Sequence, residues 1–125
     1  QRNMNLWLAV FLGGGAGSIL RFGISNLFLR MEVKGAFPWA TLSANLLATA
    51  FLAWLIMRYE ILLPGKEQWR ALLAIGFCGG FSTLSTFSFE NYQLIRDGLF
   101  AYAALNVLIS VASGILLFYL FARTV

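Results

Sequence analysis

Histidine is absent from this 125-residue chain, cysteine occurs once, at Cys78, and only 11% of the residues are charged. Without histidine the chain has neither the commonest metal ligand nor a side chain that titrates near neutral pH. A single cysteine excludes an internal disulfide. The five acidic residues are Glu32, Glu60, Glu67, Glu90 and Asp97. No paired carboxylates, nucleophile–base set or phosphate-gripping loop can be assembled from them, so the expectation is a protein that is not an enzyme. The nine basic residues are scattered between apolar runs, and this spacing forms no patch for nucleic acid.

Hydrophobic residues make up 60% of the chain, which with so little charge excludes a water-soluble globule. The stretches 35–57, 71–89 and 98–122 carry no charge, and 6–29 is interrupted only by Arg21. A bilayer-spanning helix needs about 20 such residues. The expected fold is an all-α membrane protein, one four-helix domain over residues 1–125, with spans at about 6–29, 39–57, 69–92 and 99–121. The first apolar run is longer than the roughly 7–15 residues of a signal-peptide core, and it reads as a retained span. Trp7, Trp39, Tyr59 and Trp69 fall at span ends, where amphipathic rings favour the headgroup boundary.

With four spans, Arg2, Arg58, Lys66, Arg70 and Arg123 fall on one side of the membrane, and Arg30, Lys34 and Arg96 on the other. That is a weak positive-inside bias, compatible with insertion both ways up. Two copies inserted oppositely can pack antiparallel about a twofold axis in the membrane plane, so an antiparallel dual-topology homodimer is expected. A monomer of fixed topology or a parallel oligomer remains the alternative.

The run from Gly76 to Glu90, GFCGGFSTLSTFSFE, needs an explanation. Two adjacent glycines, each costing a helix about 1 kcal/mol relative to alanine, precede a cluster of hydroxyls, and the third span is expected to break there. Broken backbone at membrane depth is tolerated only inside protein or along a watery cavity. Its freed carbonyls can hold a cation, while its N–H groups, the hydroxyls and the positive end of the next half-helix can face an anion. Phe87 lies among them, and a ring edge can greet a small anion. The competing reading is close helix packing with hydroxyls bonded back to their own helix.

Three further features interrupt the apolar spans. Asn45, with Thr41 one turn earlier, either bridges helices or replaces part of an ion's water shell. Arg21 costs roughly 2.5–3.5 kcal/mol at a span centre, so it needs a partner, a watery vestibule or a route to snorkel out. Tyr102, Asn106, Ser110 and Ser113 or Gly114 draw a polar stripe down the last span, either a hydrogen-bonded seam or a conduit wall together with Ser85 and Thr86. Gly13 and Gly17 form a small-xxx-small face that reads as a packing seam.

The run from Gly76 to Ser88, Asn45 in its Thr-Leu-x-x-Asn-Leu setting and Gly17-x-x-x-Arg21 together resemble the bacterial fluoride channels called Fluc or CrcB. The likeness covers essentially all four spans. It implies an antiparallel dual-topology homodimer in the bacterial inner membrane that exports fluoride passively through two pathways, with a structural sodium ion at the dimer centre. By the same resemblance the sodium is held by the backbone carbonyls of Gly79 and Ser82. The pathway comprises Thr41, Asn45, Ser85, Thr86, Phe87, Asn106 and Ser110, and Arg21 and Glu90 belong to the vestibules. One position departs from the pattern. Leu84 stands where family members usually carry the first of two pathway phenylalanines, and it offers no positive ring edge.

A small dual-topology proton-coupled multidrug exporter is the alternative of similar length. That chemistry needs a carboxylate at a span centre, where this sequence has none.

Overall fold

Among the described residues, four spans are long and apolar enough to cross a bilayer. The computed structural model describes residues 2–31, 35 and 37–123, with side chains from Asn5 onward. Glu32 and Lys34, counted above among the loop charges, lie outside the described residues. Helix α1 spans Arg2–Arg30 and α2 spans Trp39–Met57. The third span is interrupted: α3 covers residues 67–81, and α4 resumes at Leu84–Arg96. Helix α5 is Phe100–Arg123.

The break falls within the expected run, just past its glycines. Gly79 and Gly80 are helical, within Gly79–Phe81, and the chain turns extended at Ser82 (φ −92°, ψ 158°) and Thr83 (φ −152°, ψ 124°). In a bilayer an unpaired peptide group is so costly that glycine alone does not unwind a helix. A hydroxyl that competes for the backbone does, and Thr83 is a favoured first residue of a new helix because its side chain accepts from the Thr86 N–H.

The glycines serve a different purpose, holding α1 against α3 backbone to backbone. A Cβ on Gly13 would fall on the Leu72 carbonyl oxygen, one on Gly17 on the Phe77 carbonyl oxygen, and one on Gly80 on the Gly14 carbonyl oxygen. At Gly76 it would meet the Val10 oxygen at 2.9 Å. This approach lets two helices associate in lipid without a hydrophobic driving force. Within α3 the segment Arg70–Cys78 is π-helical, a widened winding that is rare outside sites under local constraint. It runs along the Gly13–Gly17 face, where a Cβ on Gly13 would also lie within 2.8 Å of the Phe77 nitrogen.

Two small cores complete the packing. Phe81 is buried against Ala44 and Ala48 of α2, with Phe77 beside it. Leu55 and Ile61, both 0% exposed, close over Cys78. The loop that carries Ile61 is held by Arg70, whose guanidinium donates to the Ile61, Leu62 and Leu63 carbonyls at 3.0–3.2 Å. Lys66 donates to the Tyr59 carbonyl and sits over its ring. Trp54 stacks between Phe51 and Tyr59.

Helices α4 and α5 form a tight hairpin. Gly98 takes φ +82°, and the Gly98 and Leu99 N–H groups return to the Ile95 and Leu94 carbonyls, a glycine-closed helix end that turns the chain in three residues. Outside these contacts the surface is oily: Trp7, Phe11, Leu29 and Leu84 are each at least 75% exposed. Apolar area of this extent is covered by lipid or by protein.

Candidate functional site

The break in the third span gathers the chemistry. The Cys78 carbonyl accepts both the N–H (3.0 Å) and the hydroxyl (2.9 Å) of Ser82, which closes the end of α3. Arg21 Nε donates to the Gly80 carbonyl at 3.2 Å, so the half-buried charge on α1 has a backbone partner at the break. Among the described residues no donor is placed on the carbonyl oxygens of Gly79 or Ser82. The same residues contain no cluster of His, Cys, Asp or Glu able to hold a metal.

On the other side of the gap the Thr83 N–H, which an unbroken helix would direct at Gly79, donates instead to Asn45 Oδ1 at 3.0 Å. This bond fixes the direction of the Asn45 amide. With its carbonyl engaged, the Nδ2 donors are left for the cavity that Asn45 lines. The Thr49 hydroxyl donates to the Asn45 main-chain carbonyl at 2.8 Å, an i−4 bond that keeps it within its own helix. Thr83 Oγ1 lies 3.2 Å from Ser85 Oγ.

Two neighbouring cavities flank the first turns of α4. One, of about 240 Å³, is lined by Asn45, Ser82, Thr83, Leu84, Phe87 and Ser110, among others. The second, of about 310 Å³, has Ser25, Thr41, Thr86 and Glu90 on its walls beside Phe28 and Trp39. The residues expected to share one track are thus divided. Thr41 and Asn45 are one turn apart on α2 yet open to different cavities, and Thr86 and Phe87 separate in the same way. Glu90 lies against the Thr41 hydroxyl, and its Oε1 is buried without a protein hydrogen bond among the described residues.

Other expected positions behave differently. Leu84 is 75% exposed and lines the first cavity, while Phe81, three residues before it, is committed to the α2 core. Ser85 is exposed. Asn106 is completely buried and lines neither cavity. It pairs with Asn91, a residue not singled out from the sequence: Asn106 Nδ2 donates to Asn91 Oδ1 at 3.0 Å. The signal was present as an amide on each arm of an apolar hairpin closed by Gly98. Thr49 and Ser25 were also passed over, since single hydroxyls in apolar helices ordinarily bond their own backbone.

The family model for CrcB-like protein, Camphor Resistance (CrcB), matches residues 8–121. A protein of Coxiella burnetii (strain CbuK_Q154) named fluoride-specific ion channel FluC is 45% identical over 106 residues, 84% of this chain and 85% of its own length. Proteins of the same name from Pyrococcus abyssi (strain GE5 / Orsay) and Salmonella arizonae (strain ATCC BAA-731 / CDC346-86 / RSK2980) are 39% and 40% identical. The matches cover 94% and 95% of this chain and the same shares of theirs.

Proposed function

The chain belongs to the CrcB family, and from that premise we propose that it is a passive, highly selective fluoride channel that lets fluoride out of the cytoplasm. The observation that carries this reading is the bond from the Thr83 N–H to Asn45 Oδ1. It turns an ambivalent amide into a dedicated donor at a cavity whose other walls are hydroxyls, a phenyl ring and apolar side chains.

Fluoride is small and strongly hydrated, so a path must replace its water with closely set donors and yet let it go. Asn45 Nδ2, the Thr83 hydroxyl and the edge of Phe87 supply partial positive charge without a full cation that would trap the ion, while the Ser82 and Ser110 hydroxyls, whose protons go to the Cys78 carbonyl and Asn106 Oδ1, add only polar wall. The N-terminal end of α4 adds its dipole. The ion passes around the first turns of α4 into the second cavity, where Thr41 and Thr86 continue the donor track and Glu90 stands at the exit. Arg21, anchored through Nε on Gly80, keeps its positive charge near the break.

The same reading includes an antiparallel dual-topology homodimer in the bacterial inner membrane, with two pathways. The weak charge bias supports it, as does the apolar face around Leu84, which a second copy would cover. It also includes a structural sodium ion at the dimer centre. The Gly79 and Ser82 carbonyls fit that role, being oxygen ligands that the break leaves without donors. Such an ion supplies a fixed positive field and satisfies the exposed carbonyls.

Efflux from liposomes carrying the purified protein tests the proposal. An ion-selective electrode should record rapid fluoride release and essentially no chloride release, and equal release of both anions would overturn it.

A further inference from the structure

Asn91 touches neither cavity, yet its side chain is 9% exposed and committed to one bond. Asn106 Nδ2 donates to Asn91 Oδ1 at 3.0 Å, and Ser110 Oγ donates to Asn106 Oδ1 at 3.4 Å. Ser110 in turn lines the cavity that holds Asn45, Thr83 and Phe87. Three side chains on α4 and α5 therefore form a relay that starts in the packed interior of the hairpin and ends on the cavity wall.

A serine hydroxyl has one proton. A carboxamide has two unlike ends, and the end that faces Ser110 decides where that proton goes. With Oδ1 of Asn106 turned to it, Ser110 gives its proton inward and shows oxygen lone pairs to the cavity. Reversed, Asn106 would donate to the Ser110 oxygen and release the hydroxyl proton toward the cavity as a further anion donor. Nothing about Asn106 itself selects one direction. Asn91 selects it, its Oδ1 accepting from Asn106 Nδ2, and a buried amide left without that acceptor is costly enough to reorient.

We propose that Asn91 is a positioning residue for the ion pathway: through Asn106 it holds the Ser110 proton away from the cavity and so keeps fluoride loosely bound on the α5 wall. The inference rests on the fluoride-channel reading. Its physical content is that a selective path needs donors withheld as well as donors offered, because an ion bound by every wall does not leave.

The test is Asn91→Leu, which keeps a side chain of similar size and removes the acceptor, measured as fluoride efflux from liposomes over a range of internal fluoride. Maximal flux should fall about 10-fold, and the half-saturating fluoride concentration should fall with it, because the freed Ser110 donor holds the ion more tightly. In a Ser110→Ala background the same substitution should change flux less than about twofold, since neighbours that act through one another are non-additive. Equal losses in both backgrounds, or a lower flux with unchanged half-saturation, would mark Asn91 as packing alone and overturn the proposal. So would an unchanged flux. Absence of fluoride efflux from the unsubstituted protein would instead count against the channel reading itself.

A second measurement needs no substitution. In protein labelled with ¹⁵N-asparagine, the side-chain amide resonances of Asn106 and Asn91 should shift on addition of fluoride but not chloride, together with those of Asn45. Movement of Asn45 alone would disconnect the relay from the ion.

Discussion

The two seams of the bundle are built on opposite plans. Between α1 and α3 the helices meet through glycines, with main chain against main chain and no room for a Cβ at Gly13, Gly17 or Gly80. Between α2, α4 and α5 the contact runs through amides and hydroxyls, with Asn45 on Thr83, Asn106 on Asn91, and cavities beside them. Backbone contact is rigid and chemically mute. Side-chain contact leaves gaps and sets which atoms face them. Lipid gives helices no hydrophobic reason to associate, so the glycine seam fixes the scaffold and frees the other seam to be polar and loosely filled.

Breaking the rigid seam should have the largest effect. Gly80→Ala drives a Cβ onto the Gly14 carbonyl, a backbone atom that cannot rotate away. The expected loss is about 3 kcal/mol or more of stability. It would be read as a lower melting temperature in detergent or as failure to elute as a single species on size exclusion. A variant that melts with the parent would show that α1 and α3 are not held as described.

Altering the polar seam should leave the fold and change the traffic. Asn45→Asp keeps an acceptor for the Thr83 N–H and replaces the amide donors with negative charge. Fluoride efflux should fall on the order of 10- to 100-fold, the scale of hydrogen bonds to a charged group. Unchanged flux would remove Asn45 from the path.

A smaller change is expected at Leu84, which lines the first cavity and is exposed enough to accept a larger side chain. Leu84→Phe adds a positive ring edge, worth about 0.5–1.5 kcal/mol in ring contacts, so fluoride flux should rise roughly two- to tenfold with chloride still excluded. No change would show that Phe87 alone supplies the ring contact in this chain.

The difference between the seams also explains what could be read in advance. The four spans were legible because a bilayer demands long uncharged runs, and the α1 seam was legible because Gly13 and Gly17 recur at helical spacing. The break was legible within the run from Gly76 to Glu90, but its exact place at Ser82 and Thr83 was not. Composition shows where a helix is weak, whereas the break occurs where a third partner, Asn45 on α2, accepts the released N–H. Asn91 was invisible for the same reason, because its role exists only once α4 folds back on α5 around Gly98. The division of Thr41 and Asn45 between two cavities depends on where the first turns of α4 lie, which periodicity along α2 cannot reveal.

The mildest test lies within α1 itself. Gly15 stands between the two seam glycines, and a Cβ there would meet nothing within 4 Å. If glycine is retained in this helix only for close approach, Gly15→Ala should be neutral or stabilising by up to about 1 kcal/mol, the intrinsic helix preference of alanine. Fluoride efflux should not change. Destabilisation would mean that a second copy of the chain packs against this face as closely as α3 packs against the other. The contrast between a backbone seam and a side-chain seam would then extend to the dimer, with α1 pressed between two protein neighbours instead of facing lipid.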